Sequence, residues 1–217
     1  MGRNNEVCNK ELKKKGTVQK HLIVQMVYVP VARDQLLNYP VKGMGDIAAA
    51  TLTITPERLK KVDFAAPYYE NAKEVVVTGP NIEPIKRLED LSGKSIYVRK
   101  SSSYFESLTA LNKEFAASGK PTVKIEEADE NLETEDILEM ANAGLVPITL
   151  ADDYLAAFWS RIFTKIKVNE GVFLREKAEI GWAIRKNSPE LKKCLDRFAK
   201  KVKIGTLMGN ILSILMG

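Results

Sequence analysis

Histidine occurs once in the 217 residues and cysteine twice, so the side chains behind the commonest catalytic and metal-binding sites are nearly absent. His21 stands beside an apolar run, which argues against a Ser-His-Asp triad or a metal site. Cys8 and Cys194 have no metal-ligand spacing, and a disulfide between them requires the fold to bring them together. Cys194 interrupts a core-facing helical pattern and reads as a buried thiol. No GxSxG elbow, phosphate loop, strand-borne GxGxxG or HExxH is present. No apolar run approaches the roughly 18 residues that span a bilayer, and the opening "MGRNNEVCNK" is too polar for a signal peptide. Internal repeats and low-complexity tracts are lacking as well. Metals, cofactors and catalysis are therefore not expected of this chain.

What is present is ordinary for a globular protein: 45% apolar residues and 28% charged. The formal charge is +5 and the pI about 9.0, which raises the question of an anionic partner. In "PELKKCLDRFAKKV", however, Leu191, Leu195, Phe198 and Val202 recur at helical spacing, leaving the lysines on a solvated face. No nucleic-acid motif accompanies the charge, so no nucleic-acid partner is expected. The final "IGTLMGNILSILMG" also has apolar residues at helical spacing and reads as a helix packed on the body of the protein. Glu126/Glu127 and Glu133/Glu135 read as solvated acids.

Along the chain, residues 6 to 20 read as a polar helix and "HLIVQMVYVP" as a β-rich run. "VARDQLLNYPVKG" reads as a helix that bends before Pro40. "DIAAATLTI" reads as a strand whose alternation puts Thr51, Thr53 and Thr55 on one face. "KEVVVTGP" is a further strand closed by Gly-Pro. Strand and helix then alternate through "SIYVRK", "SSSYFESLTALNKEFAASG", "TVKIEEA", "LETEDILEMANAG", "PITLAD" and "DYLAAFW". "VNEGVFLREKAEIGWAIRKNS" supplies two β-like runs before the helix from Pro189. Such alternation argues for an α/β architecture with largely parallel sheets.

Three strand-to-helix turns carry candidate chemistry. In "TITPER", Thr55 is a natural N-cap and Pro56 a first helical residue, which places Arg58 at N3. A cation there opposes the helix dipole unless an anion is bound or a nearby acid such as Asp63 is its partner. In "VRKSSSYFES", Ser103 and Glu106 form a capping box that starts the helix at Ser103, at the sheet edge where α/β proteins bind ligands. In "ITLADDYLAAF", Asp152 or Asp153 reads as an N-cap, and a carboxylate there also suits an ammonium group. Two anion-binding turns and one cation-binding turn match the charges of an α-amino acid.

The stretches "GDIAAATLTITPERLKKVDFAAPYY", "SIYVRKSSSYFESL", "PITLADDYLAAF" and "IGWAIRKNSPELKKCLDRF" resemble the type 2 periplasmic solute-binding proteins for amino acids, bacterial extracellular family 3. The resemblance runs over roughly residues 20 to 200, and "VYVPVARDQLL" adds a likeness to the solute-binding module of lytic transglycosylase F-like proteins. It implies a two-lobed α/β fold lacking its N-terminal strand. One lobe would hold residues 1–78 and 177–217 and the other residues 79–176, with "KEVVVTGP" and "NEGVFLREKAEI" as hinge crossings. It also implies that Arg58 binds the ligand carboxylate with help from Thr51 and Thr53, that Ser102 and Ser103 complete that site, and that Asp152 takes the ammonium group. The implied function is amino-acid capture in the periplasm or cell envelope for an ABC permease. The alternatives are a module sensing peptidoglycan peptides beside a downstream catalytic domain, and the effector domain of a transcription regulator. The transglycosylase catalytic motif is absent from this sequence, so no glycan cleavage is implied.

Overall fold

The computed structural model describes residues 25–202. The expected helix over 6–20, the closing apolar segment, His21 and Cys8 lie outside the described residues. The described chain groups into two compact units. One holds Gln35–Tyr68 and the chain from Ile180 onward; the other holds Tyr69–Glu179 together with Ala32–Asp34.

A 3-10 turn at Arg33–Gln35 leads into the first unit, which opens with the short helix α1 (Asn38–Val41). The break expected before Pro40 does not occur: Pro40 lies inside α1 and is buried. Its ring sits in a first turn, where the missing N–H would have had no intrahelical acceptor. Strand β1 (Ile47–Thr53), helix α2 (Pro56–Lys61) and strand β2 (Asp63–Phe64) follow. The run 25–30, expected to be β, has no regular secondary structure, and Val27 is 80% exposed. β propensity forms a strand only where a pairing edge is available.

The second unit begins with β3 (Tyr69–Thr78) and continues through a 3-10 turn (Leu88–Leu91) to β4 (Ser95–Arg99) and α3 (Ser103–Ala117). Strand β5 (Lys124–Ala128), helix α4 (Thr134–Asn142), strand β6 (Ile148–Asp152) and helix α5 (Asp153–Trp159) repeat the alternation. The chain leaves along β7 (Lys167–Ile184), a single strand where two runs were expected, and ends its described part with α6 (Pro189–Val202). Within this unit the strand order is β7-β3-β6-β4-β5. Strand β4 pairs in parallel with β5 and β6, whereas β3 runs antiparallel to β6. The sheet is mixed rather than largely parallel because β3 enters from the other unit without a helical crossover.

Strand parity decides what each face buries. Val76 and Leu150 point to a core completed by Tyr104, Leu108, Leu111 and Phe115 of α3, the stripe expected from the sequence. Val75, Val77 and Ala151 point to the opposite core with Ile137, Leu138 and Ala141 of α4 and Ala156 of α5. A strand buried on both faces reads as an unbroken apolar run, and "EVVVT" is one except for its glutamate. Glu74 shares parity with Val76, so it projects into the α3 core.

In the first unit, β1 and β2 pair antiparallel with the last residues of β7. Helix α6 closes this unit: Leu195 packs with Ala65 and Ile184, and Phe198 stacks on Trp182 at 5.6 Å between ring centroids. Cys194 is buried on α6, but it is disulfide-bonded and not the thiol expected. The sequence's one other cysteine is Cys8.

Candidate functional site

The TITPER turn forms as its residues dictate. Thr55 has extended dihedrals, and its hydroxyl accepts the Arg58 N–H at 3.2 Å, with Pro56 opening α2. Arg58 is buried, and its Nη1 donates to the Thr53 carbonyl at 2.8 Å. Thr53, Thr55 and Arg58 are thus brought together by bonds that span at most five residues. Thr51 stands apart: it is exposed, whereas Thr53 is buried. A register irregularity between Ala48 and Leu52 breaks the alternation that put the three threonines on one face.

In the second unit the N-cap of α3 is Ser102, not Ser103. Ser102 has extended dihedrals, and its hydroxyl accepts the Phe105 N–H at 3.2 Å and donates to the Arg99 carbonyl at 2.6 Å. Ser103 is already the first helical residue, so N3 is Phe105 rather than Glu106 and the expected capping box does not form. Both serines are buried at the carboxyl end of β4. Buried Arg99 at that same end donates to the Leu132 carbonyl, just ahead of α4.

Asp152 ends β6, which neighbours β4 in the sheet, so its turn and the serine turn share one edge. The two turns are also bonded directly: the Asp152 backbone N–H donates to the Tyr104 hydroxyl at 3.0 Å. Asp152 occupies the N-cap position of α5, yet its side chain makes no capping bond. Asp153 accepts the nearby N–H groups instead, from Tyr154 at 3.0 Å and Lys73 at 3.2 Å. The structural role that would have explained Asp152 is therefore not the one it performs. Its residue is only 5% exposed; Oδ2 accepts from the Tyr154 hydroxyl at 3.1 Å, the Tyr104 hydroxyl stands close enough to lower the carboxyl's pKa, and among the described residues Oδ1 has no aligned hydrogen-bond partner.

A lone buried oxygen of this kind is costly, and the carboxyl responds by holding its proton. Burial pushes the Asp152 pKa up to about 7, with the charge of Glu74 as the next cause. Glu74 is a residue that sequence reasoning missed. It is fully buried and lies directly opposite Asp152 in the β3–β6 register. Ser107 of α3 donates to Glu74 Oε2, and Arg175 of β7 donates to Ser107 Oγ at 3.0 Å. Arg175 Nε is 3.3 Å from Glu74 Oε1, close enough for an ion pair but not aligned as a hydrogen bond. Tyr104, expected only as an apolar stripe residue, is raised well above the ordinary tyrosine pKa by burial and by the charges of Asp152 and Glu74. One signal for this cluster was legible: a glutamate at the head of a valine run intended for burial on both faces.

Among the described residues no cluster of His, Cys, Asp or Glu could hold a metal ion. No helix among them is long and apolar enough to cross a membrane.

A family model for bacterial extracellular solute-binding proteins, family 3, matches residues 12–211. Among curated proteins, the chain is 27% identical over 184 residues to membrane-bound lytic murein transglycosylase F of Desulfosudis oleivorans, covering 84% of this chain and 38% of that protein. Across eight such transglycosylases the chain spans only 24 to 38% of their length. Among solved structures it is similar to an ancestral arginine-binding protein bound to arginine, at 25% identity and a TM-score of 0.71, covering 99% of this chain and 87% of that one. It is also similar in fold to AbpA, an amino acid ABC transporter substrate-binding protein of Streptococcus pneumoniae bound to L-arginine. That match has 18% identity and a TM-score of 0.75, with 99% and 81% of the two chains covered.

Proposed function

From the premise that the chain belongs to the bacterial extracellular solute-binding proteins, family 3, with the mixed α/β fold of amino-acid-binding proteins, we propose that it captures a free amino acid or a closely related small zwitterion. Arg58 of the first unit receives the α-carboxylate, assisted by the Thr53 backbone and by Ser102 and Ser103. Thr51 contributes at most a peripheral contact. Asp152 of the second unit receives the α-ammonium group. The protein works outside the cytoplasm, supplying an ABC permease, and performs no catalysis of its own.

The observation that carries this reading is Asp152: a buried carboxyl at a helix start that does not cap the helix and keeps one oxygen without an aligned partner among the described residues. An ammonium group supplies both the missing donor and the missing charge. Arginine is the first ligand to test, because the ancestral protein of similar sequence and fold holds arginine. A ligand at a hundredfold excess over Kd stabilises the folded state by about 2.7 kcal/mol, or about 5 to 10 °C in Tm for a chain of this size. Thermal-shift measurements with the protein amino acids should therefore show one or a few responders, and Arg58→Ala and Asp152→Asn should each abolish the shift. No response to any amino acid, or a shift that survives both substitutions, would count against this reading.

A second reading rests on the sequence relatives. The transglycosylases matched over about a third of their length favour a module that senses peptidoglycan-derived peptides beside a catalytic domain. Muropeptide fragments included in the same screen, with no response to free amino acids, would select it.

A further inference from the structure

Glu74 has no role in the ligand contacts proposed above, yet it is the fully buried acid nearest to Asp152 in the sheet. Residues directly opposite in an antiparallel pair have Cβ atoms about 4.5 to 5.5 Å apart, so two carboxyls share a space suited to one negative charge. The surroundings are assigned unequally. Glu74 has a hydroxyl donor in Ser107 and a cation in Arg175, which also holds Ser107 in place. Among the described residues Asp152 has no cation beside it: the Tyr154 phenol donates to Oδ2, the Tyr104 phenol stands near, and Oδ1 has no aligned donor. The remaining polar groups around it are Asp153 and Tyr154 on α5, Tyr104 on α3, and Tyr69 on β3, whose ring packs edge-on against Tyr154 at 5.1 Å. Asp153 adds a second negative charge, and among the described residues Arg175 is the cation in the group, on the Glu74 side.

We infer that Glu74 is a positioning residue acting through Asp152: its charge keeps a proton on the empty Asp152, and that proton leaves when Asp152 takes the ligand's ammonium group. The inference rests on the amino-acid-binding reading of Asp152. The exchange balances. The Asp152 O–H bond breaks, its proton passes to solvent, and an ammonium N–H donates to the carboxylate that remains. Ligand capture thus releases close to one proton wherever the empty Asp152 is protonated. Affinity rises with pH up to the titration of the empty site and then levels off, falling about tenfold per pH unit on the acid side. The pair also selects ligands: a neutral isostere lacking the ammonium group cannot displace the proton.

Two measurements on the full chain test this. The first needs no ligand: carboxyl carbons of aspartate, isotopically labelled, are followed by NMR from pH 4 to 9. One aspartate should titrate near neutrality, and Glu74→Gln should lower that midpoint by a unit or more. Glu74→Asp, which keeps the charge, should leave the midpoint raised, and it serves as the control if the glutamine variant fails to fold. The second is calorimetric titration with L-arginine and the other protein amino acids at pH 6 and pH 8, in buffers of different ionisation enthalpy. Wild type should release about one proton per ligand at pH 6 and bind about tenfold more weakly there than at pH 8, and Glu74→Gln should flatten both dependences. An unmoved aspartate midpoint in folded Glu74→Gln, or pH-independent amino-acid binding by wild type, overturns the inference while leaving the binding function intact. Absence of any amino-acid binding sinks the function, and the ligand-free titration still decides whether Glu74 controls Asp152.

Discussion

Asp152 is the residue at which folding and the proposed binding pull in opposite directions. An ordinary aspartate has a pKa of about 3.9, whereas burial and Glu74 raise that of Asp152 to about 7. Between those values the folded chain holds a proton that the unfolded chain has released. The stability contributed by that proton is fully present below about pH 4 and is lost as pH rises through about 7. Asp152→Asn keeps the shape and removes the charge. It should raise stability by about 1 to 3 kcal/mol more at pH 8 than at pH 5. Urea midpoints at the two pH values measure this, and an equal change at both would show that the charge is not responsible. Arg58 behaves differently, because its local bonds to Thr53 and Thr55 already fix its backbone and one arm. Local hydrogen bonds made Arg58 readable from "TITPER" alone, whereas the isolation of Asp152 became visible only once its capping bond was seen to be missing.

At the scale of elements, β3 carries most of the burden: it lies between β7 and β6 in its unit, buries valines on both faces and presents Glu74 to α3. It stops at Gly79, whose N–H donates to the Pro147 carbonyl at 2.9 Å. A Cβ at this position would meet the Ala141 carbonyl at 3.0 Å and the Val146 carbonyl at 3.1 Å. Both neighbours are backbone and cannot rotate away. Gly79→Ala should therefore cost about 1 to 3 kcal/mol, the usual range for overpacking, read as a lower unfolding midpoint. An alanine variant as stable as wild type would mean that the end of α4 moves freely against β3. The strand and helix pattern of this region was legible because each element carries its own periodicity. Strand direction was not: a strand looks alike in a parallel or an antiparallel pair, and β3 takes its direction from where the chain enters the unit.

For the whole molecule, the disulfide at Cys194 is the one described covalent cross-link. Such links restrict the unfolded chain, typically for about 2 to 4 kcal/mol, and they persist outside the reducing cytoplasm, in keeping with the proposed location. Reductant should lower Tm by about 5 to 15 °C, and Cys194→Ser should melt at the lower temperature with or without it. An unchanged Tm in a sample whose thiols have become titratable would exclude any stabilising role. A cysteine in a helical stripe cannot be read as thiol or disulfide from its own neighbourhood, because pairing is a property of the folded chain. The same division runs through the molecule. The sequence by itself determined the alternating elements, the apolar face of α3, the Thr55 cap with Arg58 behind it and the family to which these belong, because each depends on residues a few positions apart. Only the tertiary structure decided that Glu74 faces Asp152, that Ser107 and Arg175 hold Glu74, and that Asp153 takes the backbone bonds Asp152 leaves. Those contacts join residues remote in sequence through one sheet register, and a register is set by all the pairs along two strands together.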